Sequence, residues 1–321
     1  MNTKTDETTF TAAEIEDTRK RVTGIIEMES LTQADVARQA GIAYGTFTGW
    51  YRGHYKGDND KVTGQVSIWL ADRETRKRTA ASITRAPDFQ PTRSAKEFMD
   101  ALHFAQVMPE ISVVAGAAGI GKTTACHEYA AAAPNVWVAT MNPTTSTCGA
   151  MQHELIHVLG IVERSAAKFA RAIGAKLEGT GGLLIIDEAQ HLKPEALDFL
   201  RSIYDRYNIG IALVGNETVY GRLEGNGGKA QFAQLFSRIG VRVTRSKPLA
   251  SDMCKLIDAW GVTDAEEKKF LKAVAAKPGA LRTMTKCLQL ASMLAAGEEK
   301  ERSLRHLKAA WEKLSPNAIA A

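Results

Sequence analysis

A glycine-rich segment, Gly116-Ala-Ala-Gly-Ile-Gly-Lys-Thr123, follows an apolar strand-like run and precedes a helical pattern. In this setting, glycines let successive backbone N–H groups surround a phosphate, and the helix N-terminus adds partial positive charge. The lysine then reaches the β- and γ-phosphates, and the threonine hydroxyl binds Mg²⁺. The segment therefore predicts an ATP-type nucleotide site whose loop comprises Gly116, Ala117, Ala118, Gly119, Ile120, Gly121, Lys122, Thr123 and Thr124.

A second apolar run ends in two carboxylates, Asp187 and Glu188. We expect Asp187 to hold Mg²⁺ through water and Glu188 to activate the attacking water, which predicts ATP hydrolysis. The next apolar run ends at Asn216, which could hold that water against the γ-phosphate. The predicted cofactors are ATP and Mg²⁺.

The composition is that of a globular protein without a membrane segment. Of 321 residues, 45% are hydrophobic and 24% are charged, and the net charge of +5 permits but does not require a polyanionic partner. The four cysteines lack metal-ligand spacing, which indicates free thiols in a reducing compartment. No apolar run approaches the length of a membrane span, and the polar N-terminus does not fit a secretory signal, so we expect a cytoplasmic protein.

The pattern divides the chain into a helical N-terminal domain (1–75), a basic, proline-containing linker (76–93), an α/β core (94–247) and a helical C-terminal domain (248–321). Alternating apolar runs and helical patterns predict a parallel five-stranded sheet in the core. The predicted strands are Ile111–Gly116, Val136–Met141, Leu183–Asp187, Ile209–Gly215 and Val241–Thr244.

The N-terminal domain contains a helix-turn-helix pattern between Gln33 and Trp50. Small Ala37 suits the helix crossing, and Gly41 suits the tight turn. The outer side of the second helix would offer DNA contacts, with a protein-contact module as the alternative reading. The candidate DNA contacts are Tyr44, Thr46, Thr48 and Arg52; Tyr44 and Tyr51 could equally be core residues.

Further cations precede the second acidic motif. Arg164, Lys168 and Arg171 have the spacing of one helical face, with Lys176 nearby. Contacts from such a face to DNA phosphates would be sequence-tolerant and salt-sensitive. A solvated helix face explains the spacing equally well.

The glycine-rich loop, the Asp-Glu pair, the Asn-tipped strand and Gly279-Ala-Leu-Arg282 together resemble the AAA+ ATPase family. This resemblance implies a helical lid in which Arg282 contacts the nucleotide. It also implies an arginine that enters the neighbouring subunit's site, for which Arg238 is the candidate, with Arg222 behind it. Such an arginine requires oligomerisation.

A closer resemblance, covering nearly the whole chain, is to the family of bacteriophage Mu B transposition proteins. It rests on segments outside the general ATPase motifs, with Gln190 as one departure where the family pattern has aspartate. The resemblance implies a helical oligomer on double-stranded DNA of little sequence preference, which delivers that DNA to a transposase. The segments are Tyr55–Asp60, Asn135–Val138, Leu177–Thr180, Leu235–Ile239 and Lys277–Arg282.

Two other functions share the core motifs. One is a helicase-loading or replication-initiator ATPase; the N-terminal position of the helix-turn-helix argues against those initiators that carry theirs after the lid. The other is a nucleotide-switched transcription regulator that reads a fixed operator. Sequence-indifferent DNA protection with ATP would distinguish target capture from a regulator.

Overall fold

The computed structural model describes residues 9–82, 86–218 and 237–315. The chain divides into two compact units, Met1–Thr84 and Arg85–Ala321. The first unit is helical throughout its described part, and the second contains the sheet and the C-terminal helices.

The N-terminal unit is built from four helices: α1 (Ala12–Glu29), α2 (Gln33–Gln39), α3 (Tyr44–Tyr51) and α4 (Asn59–Ser82). The Thr32 hydroxyl caps α2, and the turn before α3 contains Gly41 at a φ of 69°. The apolar faces of the four helices meet in one core. Its fully buried members include Val22, Val36, Phe47, Trp50 and Val66.

The outward face of α3 is narrower than the sequence pattern predicts. Tyr44 is 57% exposed, and Arg52 is exposed, whereas Thr46 is half-buried. The Thr48 hydroxyl is buried and has no hydrogen-bond partner within the described part of the chain. Tyr51 stacks on Phe47, with ring centroids 5.8 Å apart, so it belongs to the core. The helical repeat that buries Phe47 and Trp50 also turns these two side chains inward.

The basic part of the predicted linker is helical. Arg76 and Lys77 lie within α4, which continues to Ser82, so the first part of the predicted linker is helical. The helix continues because no proline or glycine occurs between Gly64 and Pro87, and the intervening residues are mostly good helix formers. Residues 86–92 lead from there to α5 (Arg93–Val107).

The described part of the second unit contains the five-stranded parallel sheet that the sequence pattern predicts, and the structure gives its strand order as β2-β3-β4-β1-β5. Each strand begins within two residues of its predicted start. The strands are β1 (Ile111–Gly116), β2 (Val136–Thr140), β3 (Leu183–Asp187), β4 (Gly210–Gly215) and β5 (Ile239–Arg245). Because β4 lies between β1 and β3, the chain segments that follow these three strands meet at one edge of the sheet.

Helices cover both faces of the sheet. Alternate residues of each central strand point to opposite sides, as with Val113 and Val114 of β1, and are buried in two separate cores. One core also includes α7 (Cys148–Val158), α8 (Phe169–Leu177) and α9 (Pro194–Tyr207), and the other includes α5 and α6 (Lys122–Ala132). Burial on both faces explains why the strands read as continuous apolar runs.

Four helices after β5 form a C-terminal lid: α10 (Ala250–Ala259), α11 (Ala265–Ala275), α12 (Ala280–Gly297) and α13 (Leu304–Leu314). They share a core of their own, which includes Ile257, Leu271, Met284 and Leu307. All four cysteines of the chain are free thiols, as expected.

The lid contacts the glycine-rich loop through backbone atoms. The Arg282 N–H donates to the Gly119 carbonyl oxygen over 3.2 Å, at the start of α12. Gly119 has a φ of 82°, and a Cβ atom there would lie 2.0 Å from the Gly279 carbonyl oxygen. Only glycine therefore permits this approach of loop and lid.

We expect Gly119→Ala to destabilise the second unit more than Gly121→Ala does. Both glycines have positive φ, so each substitution costs about 1–2 kcal/mol through backbone strain. A Cβ on Gly121 meets open space, whereas one on Gly119 meets the lid backbone. Denaturant unfolding of the full chain compares the two free energies. Equal losses would show that the lid does not pack against Gly119.

Candidate nucleotide site

The glycine-rich loop connects β1 to α6 and forms one wall of a cavity. Gly116 ends the strand, and Lys122 is the first residue of the helix. The Ala117 N–H donates to the Arg245 carbonyl oxygen of β5 over 3.0 Å, which anchors the loop to the neighbouring strand. Of the predicted loop residues, Ala118, Gly119, Ile120, Gly121, Lys122, Thr123 and Thr124 line the cavity.

The Lys122 ammonium lies under this loop. Its Nζ donates to the carbonyl oxygens of Gly116 and Ala117 over 2.8 and 2.9 Å. Burial lowers the pKa of Lys122 from its usual value, and the carboxylates of Glu188 and Asp187 oppose that shift. A phosphate beside Lys122 would stabilise its charged form further, so the position suits an anionic ligand.

The acidic pair lies opposite the loop. Asp187, which is 1% exposed, accepts a hydrogen bond of 2.7 Å from the Thr123 hydroxyl and one of 2.9 Å from the Glu188 N–H. Glu188 has a φ of 55°, so the chain turns sharply after the buried strand and leaves this carboxylate in the cavity wall. The hydroxyl and the buried carboxylate are thus held side by side.

Gln190 connects the acidic pair to the neighbouring strand. Its side-chain amide donates to the Glu188 carboxylate, and its Oε1 accepts from the Asn216 N–H over 3.2 Å. From the sequence alone, Gln190 is recognisable only as a departure from a family pattern. Its position two residues after Glu188, on a turn beside β3, is the signal that could have identified it.

Asn216 follows β4 between the loop and the acidic pair. Its Oδ1 accepts from the Thr218 N–H over 3.0 Å and from the Thr218 hydroxyl. The side-chain oxygen therefore stabilises the local turn, and the Asn216 backbone is what contacts Gln190. The strand order places this residue at the same edge of the sheet as the loop and the acidic pair.

The cavity has a volume of about 460 Å³ and lies between the loop, residues 86–95 and the lid. Arg282 lines it and is close enough to Lys122 to lower the pKa of that lysine. Its lining by residues 86–95 and the lid includes several apolar side chains, and part of it lies in the segment that the sequence pattern predicts as a linker. Pro87 and Phe89 within that segment are the sequence signal that could have indicated an apolar contact there. The lining residues there include Pro87, Phe89, Thr92, Ala95, Leu256, Trp260 and Leu281.

Arg238 lies away from this cavity. Its Nε donates to Asp205 Oδ1 of α9 over 2.6 Å, and its side chain is 31% exposed. Asp205 also accepts from Arg201, so the arginine is part of a surface ion-pair network. The alternative candidate, Arg222, lies outside the described residues.

The cations before β3 do not share one helical face. Arg164 precedes the helix, because the Glu163 carboxylate accepts from the N–H groups of Arg164 and Ser165 and holds them in a turn. Lys168 ends a 3₁₀ turn, and α8 begins at the next residue. The predicted single helix is therefore wrong, although Arg164, Lys168, Arg171 and Lys176 are all exposed.

The described residues contain no group of three or more His, Cys, Asp or Glu side chains placed to bind one metal ion. None of the described helices combines the length and apolar character needed to span a bilayer. The oxygen atoms near the loop that could bind a cation include the Thr123 hydroxyl and the Asp187 carboxylate, which are hydrogen-bonded to each other.

Two family models match the chain. Residues 108–223 match the AAA domain, and residues 237–314 match the C-terminal domain of the Mu B transposition protein. Among solved structures, a Walker-type ATPase of Pyrococcus abyssi aligns with a TM-score of 0.51 and 12% identity over 72% of this chain and 74% of that one. That likeness supports the fold.

Curated relatives extend the similarity to nearly the full length. The ATP-dependent target DNA activator B of Escherichia phage Mu is 34% identical over 94% of this chain and 96% of its own length. The Mu-like prophage FluMu DNA transposition protein B of Haemophilus influenzae is 34% identical over 79% of this chain and 89% of its own length. With the cavity, the loop and the acidic pair in place, the chain is an ATPase of the AAA class and belongs to the Mu B transposition protein family.

Proposed function

We propose that this chain binds ATP with Mg²⁺ in the cavity, assembles on double-stranded DNA with little sequence preference and delivers that DNA to a transposase. One observation carries the proposal: the loop, Glu188 and the lid line one cavity in a chain that matches a target DNA activator along 94% of its length. ATP-dependent binding of DNA is the step that this geometry can control.

The residues around the loop divide the nucleotide chemistry between them. Backbone N–H groups of the loop and Lys122 bind the phosphates, and Thr123 with Asp187 would hold Mg²⁺, the latter through water. Mg²⁺ suits this pair because it keeps most of its waters and needs few protein ligands. When bound, the ion supplies neutralisation of phosphate charge.

Glu188 accepts the proton of the attacking water in this proposal. Its carboxylate faces the cavity, and Gln190 fixes its orientation by donating to it. Asn216, whose N–H donates to Gln190, holds the attacking water against the γ-phosphate in this proposal. Arg282 contacts the nucleotide from the lid, where its charge lies near Lys122.

Arg238 completes the neighbouring subunit's site in an oligomer. Its own cavity does not include it, and its side chain lies on the surface of the second unit beside α9. A cation supplied in trans stabilises the charge that develops on the γ-phosphate. Asp205 holds the guanidinium in place at that surface.

We expect Arg238→Ala to retain ATP affinity and lose DNA-stimulated hydrolysis. Mixing it with Lys122→Ala should restore part of the rate, because one chain supplies an intact loop and the other an intact arginine. Arg201→Ala is the matched control, since it removes the other arginine paired with Asp205. The steady-state rate of ATP hydrolysis is measured for Arg238→Ala, for Lys122→Ala, for their mixture and for Arg201→Ala. Unchanged turnover of Arg238→Ala alone would transfer the role to Arg222.

The exposed cations of the second unit supply the main DNA contact in this proposal. Lys168, Arg171 and Lys176 are exposed on the segment that leads to β3. Contacts from such side chains to phosphates do not depend on sequence. Tyr44, Thr46 and Arg52 of the helix-turn-helix add a secondary contact, in which Thr48 contributes no exposed hydroxyl.

We expect Lys168→Ala combined with Arg171→Ala to weaken DNA binding about equally on unrelated sequences. The log–log dependence of affinity on salt should fall by roughly one unit per lost phosphate contact. Lys269→Ala combined with Lys272→Ala, on exposed positions of α11, is the charge-matched control. Salt titrations on two unrelated duplexes with ATP provide the measurement.

An unchanged salt slope in the first double variant would assign those cations to a solvated face. Loss of all binding after deletion of residues 1–75 would make the helix-turn-helix the primary contact. A single discrete footprint with ATP would then favour the transcription regulator, whereas continuous protection supports target capture.

A further inference from the structure

A buried carboxylate of the lid is bonded to the first turn of α5. Asp252, in the first turn of α10, is 0% exposed. Its Oδ1 accepts from the Arg93 N–H over 2.9 Å and from the Ser94 N–H over 3.4 Å. These N–H groups have no partner within their own helix, and the helix dipole favours an anion there.

A second lid residue bonds to the preceding segment. Lys255, one turn further along α10, donates from Nζ to the Pro91 carbonyl oxygen over 2.9 Å. The two side chains thus hold residues 91–94 from the same face of α10. A hydrogen-bonding anion and a hydrogen-bonding cation fix both the distance and the register of the two segments.

The segments joined in this way form two walls of the nucleotide cavity. Thr92 and Ala95 line it from the α5 side, and Leu256 and Trp260 line it from α10. Leu256 directly follows Lys255, so a shift of α10 at the joint changes the space between these walls. The glycine-rich loop and Glu188 lie elsewhere in the cavity lining.

A buried carboxylate joins two helices at a higher cost in folding free energy than an apolar contact would. Asp252 Oδ2 and Ser94 Oγ are buried without a hydrogen-bond partner within the described part of the chain. A buried charge with incomplete hydrogen bonding costs stability that an apolar contact would not. In return, the hydrogen bonds of Asp252 fix the geometry of the joint, and residues beside this joint line the nucleotide cavity.

We infer that Asp252 is a positioning residue that sets the separation of the two walls at the more apolar end of the cavity, and with it the part of ATP affinity that the purine base contributes. The phosphate contacts of Lys122 and the loop are independent of it. This inference rests on the proposed ATP site and not on the proposed delivery of DNA. A failure of the DNA-delivery proposal would therefore leave the inference intact, and a failure of the inference would leave the DNA-delivery proposal intact.

The test compares ATP with inorganic tripolyphosphate, which carries the phosphates without the base. Both affinities of each full-length variant are measured by displacement of a fluorescent ATP analogue. Magnesium is left out so that ATP is not hydrolysed during the measurement. Asp252→Ala should lower the affinity for ATP about tenfold, because the joint loses hydrogen bonds to a charged group. The affinity for tripolyphosphate should stay within about twofold of that of the unaltered chain. Asp252→Asn, which retains an acceptor oxygen, should lie between Asp252→Ala and the unaltered chain.

Lys255→Ala provides a milder second variant of the same joint, because Lys255 is exposed and its loss removes one hydrogen bond. It should weaken ATP in the same direction and leave tripolyphosphate unchanged. An equal loss for both ligands in these variants would show a merely structural role. Unchanged ATP affinity in Asp252→Asn and Lys255→Ala would likewise overturn the inference.

Discussion

The hydrogen bond from the Arg282 N–H to the Gly119 carbonyl oxygen is the contact on which the site depends. It joins the start of the lid helix to the loop that would bind phosphate, and Gly119 permits it because no Cβ intervenes. A ligand that displaces the loop would break this hydrogen bond unless the lid moves with it. This gives a short physical route from nucleotide state to the arrangement of the C-terminal helices.

The sheet provides the fixed frame for that contact. Because β4 lies between β1 and β3, the loop, Asn216 and the acidic pair meet at one edge without any long-range adjustment. Thr123 and Asp187 are 64 positions apart and yet 2.7 Å apart in space. The three central strands, β1, β3 and β4, are buried on both faces, so the residues that follow them are held rigidly.

Local patterns predicted the loop, the acidic pair and the five strands, because continuous apolar runs and glycine spacing act over a few residues. The apolar wall of the cavity could not be predicted, since it joins segments that are 159 positions apart at the Arg93–Asp252 bond. Spacing placed Arg164 on a helix that the Glu163 carboxylate prevents from starting there. Charge periodicity alone contained no information about that local cap.

The central claim is that the cavity between loop and lid hydrolyses ATP with Glu188 as the base. The most direct measurement is ATP affinity together with single-turnover hydrolysis in Glu188→Gln, with Glu128→Gln on the exposed side of α6 as the matched control. We expect retained ATP affinity in both variants and a hydrolysis rate reduced about 10²–10⁴-fold in Glu188→Gln only. An unchanged hydrolysis rate in Glu188→Gln would contradict it.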